Sequence, residues 1–346
     1  MGKNYTGYVG TYTRENSEGI YKFSLNTEAK KLENVELVAK VGNPTFIAFS
    51  EDHKHAYAVC KDGDMGGVAS YEVKADSGNL RYLNRRLQRG ASPCHVEVKS
   101  QHLSSGNYHE GTVTLYHINS RGSLETDYFV VQHEGHGPHE RQEKSHVHFT
   151  GFTPDGKYIV VCDLGTDEIA TYQAAAKNLE KVASYQVKGG SGPRHIAFHP
   201  NGKWAYVITE LSSEIIVLDY DASSGSFREK QTVSTLPAAF KGKNDASAIK
   251  LSADGKYVYA ANRGHNSLAV FHVDMASGEL KHTQQIASGG DFPRDFSLDP
   301  SGKFVVVANQ KSNHLVLFSR DEANGKLEQL SSVVNVPEGV CVQFLS

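Results

Sequence analysis

The sequence predicts an all-β protein, a seven-bladed β-propeller that occupies residues 1–346 as one domain. Three observations predict it. A unit of about 46–53 residues recurs along the chain, measured between the turns at Asp155, Asn201, Asp254 and Ser301. The units consist of short runs rich in Val, Ile, Tyr and Phe that alternate with period two, as strands do and helices do not. The two chain ends each supply a fragment of one further unit.

The clearest copies are HFTGFTPDGKYIVVCDLGTDEIATYQ from His148, HIAFHPNGKWAYVITELSSEIIVLDYD from His195, AIKLSADGKYVYAANRGHNSLAVFHVD from Ala248 and FSLDPSGKFVVVANQKSNHLVLFSRD from Phe296. Their Asp-Gly, Asn-Gly and Ser-Gly pairs read as tight hairpin turns. Two weaker copies begin at Phe46 and His95, and the second lacks the Asp-Gly turn and reads as shortened. A period near 50 with several short strands per unit fits propeller blades. That makes six blades. The C-terminal GVCVQF resembles the inner strand of a blade, and YTGYVGTYTRENSEGIYKFSLN near the start resembles the strands that follow one. Together they make a seventh blade, in which N- and C-terminal strands close the ring and remove the open sheet edges.

Composition narrows the function. The 36 basic and 39 acidic residues leave a formal charge of -3, so neither nucleic acid nor an anionic membrane surface is an expected partner. No run approaches 18 apolar residues and the N-terminus has no apolar core of a secretion signal, so a cytoplasmic protein is expected. The opening MGKNYT matches the N-myristoylation pattern, but Tyr5 to Tyr12 reads as the start of a strand. Cys60, Cys94, Cys162 and Cys341 are widely spaced, as in a reduced protein without a disulfide framework. His133, His136 and His139 have an H-x-x-H-x-x-H spacing, but the Gly- and charge-rich segment around them reads as a surface loop between blades. No metal and no cofactor are expected. The absence of G-x-S-x-G and of a phosphate loop argues against a serine hydrolase and a nucleotide enzyme.

The repeat supplies its own control. Positions alike in every copy build the blade, and positions that differ are free to act. Seven residues before the turn stand Thr45, His148, Arg194, Ser247 and Arg294. Nine after it stand Lys61, Leu164, Glu210, Arg263 and Gln310, and eight after it Cys60, Asp163, Thr209, Asn262 and Asn309. These positions meet at one mouth of the central channel. Wet propeller channels carry polar residues for solvation alone, but His148, Arg194, Glu210 and Arg263 together exceed that need.

At these residues the chain resembles a known family. GPHERQEKSHVHFTGFTPDGKYIVVCDLGTD, YVITELSSEIIVLDYD and YVYAANRGHNSLAVF resemble signatures of the lactonase propellers, as do YVGTYT and GASPCHVEV. That family contains bacterial 6-phosphogluconolactonases of the cycloisomerase-2 type and fungal carboxy-muconate cyclases. The resemblance implies hydrolysis of a sugar lactone, phosphorylated at its 6-position, within the pentose phosphate pathway. It places catalytic roles on His146 or His148, Glu210 and Arg263. Cys60-Lys61 stands where many members have Asn-Glu. Glu210 is expected as general base, its carboxyl brought toward neutrality by partial burial, or as the group that orients a histidine. A histidine is expected to protonate the leaving ring oxygen, and Arg263 to hold the oxyanion. Arg194, His195, Asn262, Arg294 and Lys61 are expected to bind substrate, the cations taking its phosphate. The molecule is expected as a monomer or homodimer. Two rivals stand beside this: a lactone-forming enzyme acting on a dicarboxylate, and a non-catalytic propeller that binds a partner.

Overall fold

The computed structural model describes residues 2–175 and 178–345. Seven four-stranded antiparallel sheets radiate from a central channel. Numbered from the first complete one, blade 1 spans residues 47–89, blade 2 95–132, blade 3 147–186, blade 4 193–234, blade 5 245–287 and blade 6 293–335. Blade 7 pairs the C-terminal strand Gly339–Phe344 with Asn4–Thr11, followed by Gly19–Asn26 and Lys31–Lys40. The ring is thus closed by both termini. No helix is long and apolar enough to cross a membrane.

Seven apolar clusters hold the ring, one between each blade and the next, including blade 6 with 7 and blade 7 with 1. An open ring of seven blades would have six, so the closure is continuous. Each fully buried Val, Leu, Ile or Phe in these clusters contributes roughly 1.5–3 kcal/mol. The clusters also explain a departure from the alternating pattern. The second strands, Tyr158–Asp163, Trp204–Thr209 and Phe304–Asn309, are buried at every position, because a neighbouring blade covers each face. Alternation survives in outer strands such as Asn178–Gln186, where one face meets solvent.

The turns differ from two-residue hairpins. Between Phe152 and Tyr158 lies a five-residue loop, 153–157. Asp155 accepts from Thr153 Oγ1 at 2.6 Å and from the Lys157 amide at 3.1 Å, and Gly156 takes φ 71°. Ser252, Asp254 and Lys256 repeat this, as do Ser50, Asp52 and Lys54. Glycine takes this left-handed φ without a Cβ clash, and in the Ser50 copy His53 takes it instead, at φ 57°. Blade 2 keeps four strands despite its missing motif. Ser100 and Gln101 join His95–Lys99 to His102–Asn107, with Ser100 at φ 53°.

One feature of the inner strands positions the site. In blades 3, 4 and 6 the register skips one residue at the channel end: Val147 and Phe149 are paired but His148 is not, Pro193 and His195 but not Arg194, Pro293 and Asp295 but not Arg294. These three residues are the extra members of β-bulges, devices that bend a strand and re-aim a side chain. Ser247 and Val340 hold the corresponding places in blades 5 and 7.

Candidate active site

The bulged ring narrows the channel to a void of about 30 Å³ lined by Thr45, Cys94, His148, Arg194, Arg294 and Val340, among others. Above it opens a cavity of about 400 Å³. Its charged lining is Arg14, Lys61, Arg141, Arg263 and Arg294 against one carboxylate, Glu210, a formal excess of four positive charges in a chain of net charge -3. Below the constriction lies a cavity of about 530 Å³ lined largely by aromatic and aliphatic side chains, with Glu97 and Lys250.

Glu210 follows the strand Trp204–Thr209 and is 3 % exposed. One of its oxygens, Oε2, accepts from Arg194 Nε at 2.8 Å and from Arg263 at 2.8 Å. The other, Oε1, accepts from Arg141, whose second nitrogen reaches Asp245 at 2.8 Å. Burial alone would raise the Glu210 carboxyl, but Arg263, Arg194 and Arg141 outweigh it and hold it well below the usual carboxylate range. The expectation that burial brings Glu210 toward neutrality is therefore reversed. A carboxylate so stabilised is a weak base; it organises three guanidiniums. Arg263 also donates to the carbonyls of Asp245 and Ala246, and Arg194 to that of Ser247, so both are fixed in place. Burial and the neighbouring Arg263 push the Arg194 guanidinium down to about 9, the mark of crowded like charge.

The two histidines separate clearly. His146 stacks on Tyr108 with centroids 4.2 Å apart, and its ring nitrogens meet the Tyr108 carbonyl at 2.8 Å and Glu143 at 3.1 Å. It does not line the cavity. His148 does, and its buried Nδ1 has no hydrogen-bond partner among the described residues. Burial, reinforced by Arg194, holds its imidazole well below the ordinary histidine value, so it is neutral at pH 7. Cys94 Sγ lies 3.5 Å from the carbonyls of Val147 and His148 and braces that strand.

Among the other expected binding residues, Lys61 and Arg294 line the cavity, Arg194 and His195 line the constriction, and His195 also reaches the lower cavity. Asn262 is fully buried away from the cavity: its Oδ1 accepts from Thr235 and Asn244, and its Nδ2 donates to the Thr235 carbonyl. His133 lies buried between Asp163 at 3.1 Å and Tyr172 at 2.8 Å. Among the described residues no three His, Cys, Asp or Glu side chains form a group that could hold a metal.

Sequence reasoning missed Tyr12, Arg14, Tyr108 and Arg141. Arg141 and Arg14 sit in loops outside the repeat register, so no copy served as a control. Their signals were the family-like stretches GPHERQEKSH and YVGTYT, the second ending one residue before Arg14.

Fold and site together define a closed propeller whose channel mouth gathers an excess of positive charge beside a buried imidazole. The chain belongs to the lactonase family of seven-bladed β-propellers, whose model matches residues 6–344. It is 47 % identical over 343 residues to the 6-phosphogluconolactonase of Bacillus subtilis, covering 99 % of this chain and 98 % of that one. A crystal structure of a Lactobacillus plantarum protein superposes with a TM-score of 0.95 at 42 % identity, covering 99 % and 100 %. The periplasmic gluconolactonase PpgL of Pseudomonas aeruginosa superposes with a TM-score of 0.93 at 32 % identity, covering 99 % of each chain.

Proposed function

We propose that the protein hydrolyses a sugar lactone to the open acid, with 6-phosphogluconolactone of the pentose phosphate pathway as its substrate. The observation that carries this reading is the neutral, partly unsatisfied His148 in a cavity with four excess positive charges. The similarity to a 6-phosphogluconolactonase and a gluconolactonase supports it.

The chemistry follows from the residues present. The lactone carbonyl sits among Arg263 and Arg141, whose fixed positive charge lowers the electrophile's barrier and stabilises the tetrahedral oxyanion. Neutral His148 takes a proton from a water as its oxygen attacks the carbonyl carbon. The resulting imidazolium returns that proton to the ring oxygen as the C–O bond breaks. The product carboxylic acid then ionises, releasing one proton to solvent. Glu210 stays ionised throughout and keeps the guanidiniums aimed. This assigns His148 both proton transfers and leaves Glu210 none.

The test is hydrolysis of freshly generated 6-phosphogluconolactone against its spontaneous rate, with and without chelator. Turnover above background is expected with chelator present, with a loss of about 10²–10⁴-fold in kcat for His148→Asn. No turnover above background, or an unaffected His148→Asn, sinks the reading.

A further inference from the structure

Six cationic side chains surround the upper cavity and constriction, and they divide into two sets. Arg141, Arg194 and Arg263 each form an ion pair with Glu210. Arg14, Arg294 and Lys61 also line the cavity, and among the described residues none of them forms an ion pair with a carboxylate. Instead, Arg14 and Arg294 stand over one aromatic ring, that of Tyr12, with their guanidinium carbons 4.0 Å and 5.4 Å from its centroid. The two guanidinium carbons are therefore no farther apart than the sum of those distances. Two like charges held within that span repel each other, and the shared ring offsets only part of the repulsion. An anion that contacts both guanidiniums removes it.

The loop that carries Arg14 is built rather than loose. Glu338 has only 7 % of its surface exposed, yet among the described residues its carboxylate pairs with no cation. It accepts from the backbone amides of Arg14 at 3.1 Å, Glu15 at 3.0 Å and Ser17 at 3.4 Å. Its own amide donates to Asn313 Oδ1 at 2.7 Å, and its carbonyl accepts from the Tyr12 amide at 3.1 Å. Tyr12 and Arg14 are thus pinned to the start of the C-terminal strand, facing Arg294 of the preceding blade. A buried carboxylate spent on three amides makes sense where the position of the loop matters.

We infer that Arg14 and Arg294, stacked about Tyr12 and supplemented by Lys61, form a dedicated seat for a phosphate monoester dianion, separate from the Glu210-bound arginines that serve the carbonyl. This rests on the lactonase reading and deepens it: the seat selects lactones that carry a terminal phosphate over those that do not. Two guanidiniums match phosphate oxygens in pronged geometry, which a hydroxymethyl group cannot use. Glu338 is a positioning residue acting through Arg14. Arg194, held by Glu210 and the Ser247 carbonyl, takes no part in the seat.

The experiment measures kcat/KM for 6-phosphogluconolactone and for glucono-δ-lactone in parallel. Arg14→Ala and Arg294→Ala are each expected to lower the phosphorylated-to-plain preference at least tenfold, mainly through KM for the phosphorylated substrate. Arg14→Lys restores part of it. Glu338→Gln shows a smaller loss in the same direction. An equal loss on both substrates, or an unchanged preference, overturns the seat. Calorimetric binding of 6-phosphogluconate and of gluconate to the same variants tests the seat without turnover. Wild-type protein binding only the phosphorylated acid, with affinity lost in Arg14→Ala and Arg294→Ala, upholds it even if lactone hydrolysis fails. Equal binding of both acids overturns it.

Discussion

At the scale of single residues, the site turns on what each neighbour does to a proton. His148 and Glu210 share a wall and the same guanidiniums, but the field acts on them in opposite senses. It makes the carboxylate easier to keep ionised and the imidazolium harder to form. This has a measurable sign. With His148 as the proposed base, the active form is the neutral one, and its pKa is depressed in the folded protein, so protonation is expected to shut the enzyme off only at acid pH. On a plain lactone, whose own charge does not titrate, kcat/KM is expected to stay flat through pH 6.5 and to fall well below it. The acid limb of kcat/KM reports the free enzyme. A limb centred at or above 6.5 would show that His148 is not the base. For the phosphorylated substrate a second fall is expected near pH 6, where the phosphate dianion gains a proton.

At the scale of elements, loop 133–146 and the bulged strands bring together what the chain separates. Asp163 ends a strand of blade 3 with its side chain fully buried, and it holds both ends of that loop. It meets His133 at 3.1 Å and accepts from Ser145 Oγ at 2.6 Å and the His146 amide at 2.8 Å. Gln142, also fully buried, donates to the Leu164 carbonyl and accepts from the His139 amide, which sets the turn from which Arg141 projects. Replacing Asp163 with Ala leaves several donors buried and unpaired, each costing about 1–3 kcal/mol. Asp163→Ala is expected to destabilise the protein by about 3 kcal/mol or more in urea titration at neutral pH. Burial opposes the ionised form, but the bonds from His133 and Ser145 prevail and hold the carboxyl below its ordinary value. Its contribution is therefore present above the unfolded pKa near 4 and is lost as pH falls through the folded one. An unchanged midpoint for Asp163→Ala would contradict the role given to this loop. The same elements show what a sequence can reveal. Blades were legible because turns such as Asp155-Gly156 and Asp254-Gly255 repeat, and a repeat exposes the positions that depart from it. His148, Arg194, Glu210, Arg263 and Arg294 were found that way. The bulges were not legible, since the extra residue leaves no mark on period or composition. Asn262 illustrates the cost: it occupies a channel-end register position, but its amide turns into the blade. Arg14 and Arg141 escaped for the opposite reason, lying in loops that no other blade duplicates.

At the scale of the whole molecule, fold closure and the proposed phosphate seat share one construction. The strand Gly339–Phe344 pairs with Asn4–Thr11 from Gly7 opposite Phe344 to Thr11 opposite Gly339. It buries Val342 between blades 6 and 7 and Cys341 between blades 7 and 1, while Val340 faces the constriction. Immediately before it stands Glu338, which fixes the Arg14 loop. A variant ending at residue 337 would lose the inner strand of blade 7, expose the edge of Asn4–Thr11 and open the ring between blades 6 and 7. A ring distributes its stability over every interface, so one break weakens all of them. The expected result is a large fall in melting temperature and aggregation through the freed strand edge. The informative comparison is a circular permutant that joins the strand Gly339–Phe344 to Asn4–Thr11 through a short linker and opens the chain at loop 153–157, on the far side of blade 3 from the site. It keeps all seven interfaces and the Glu338 contacts. It is expected to melt close to wild type and to retain its preference for the phosphorylated lactone. If the permutant instead lost that preference while melting normally, closure and seat would be separable, and the Arg14 loop would depend on the free N-terminal segment rather than on Glu338.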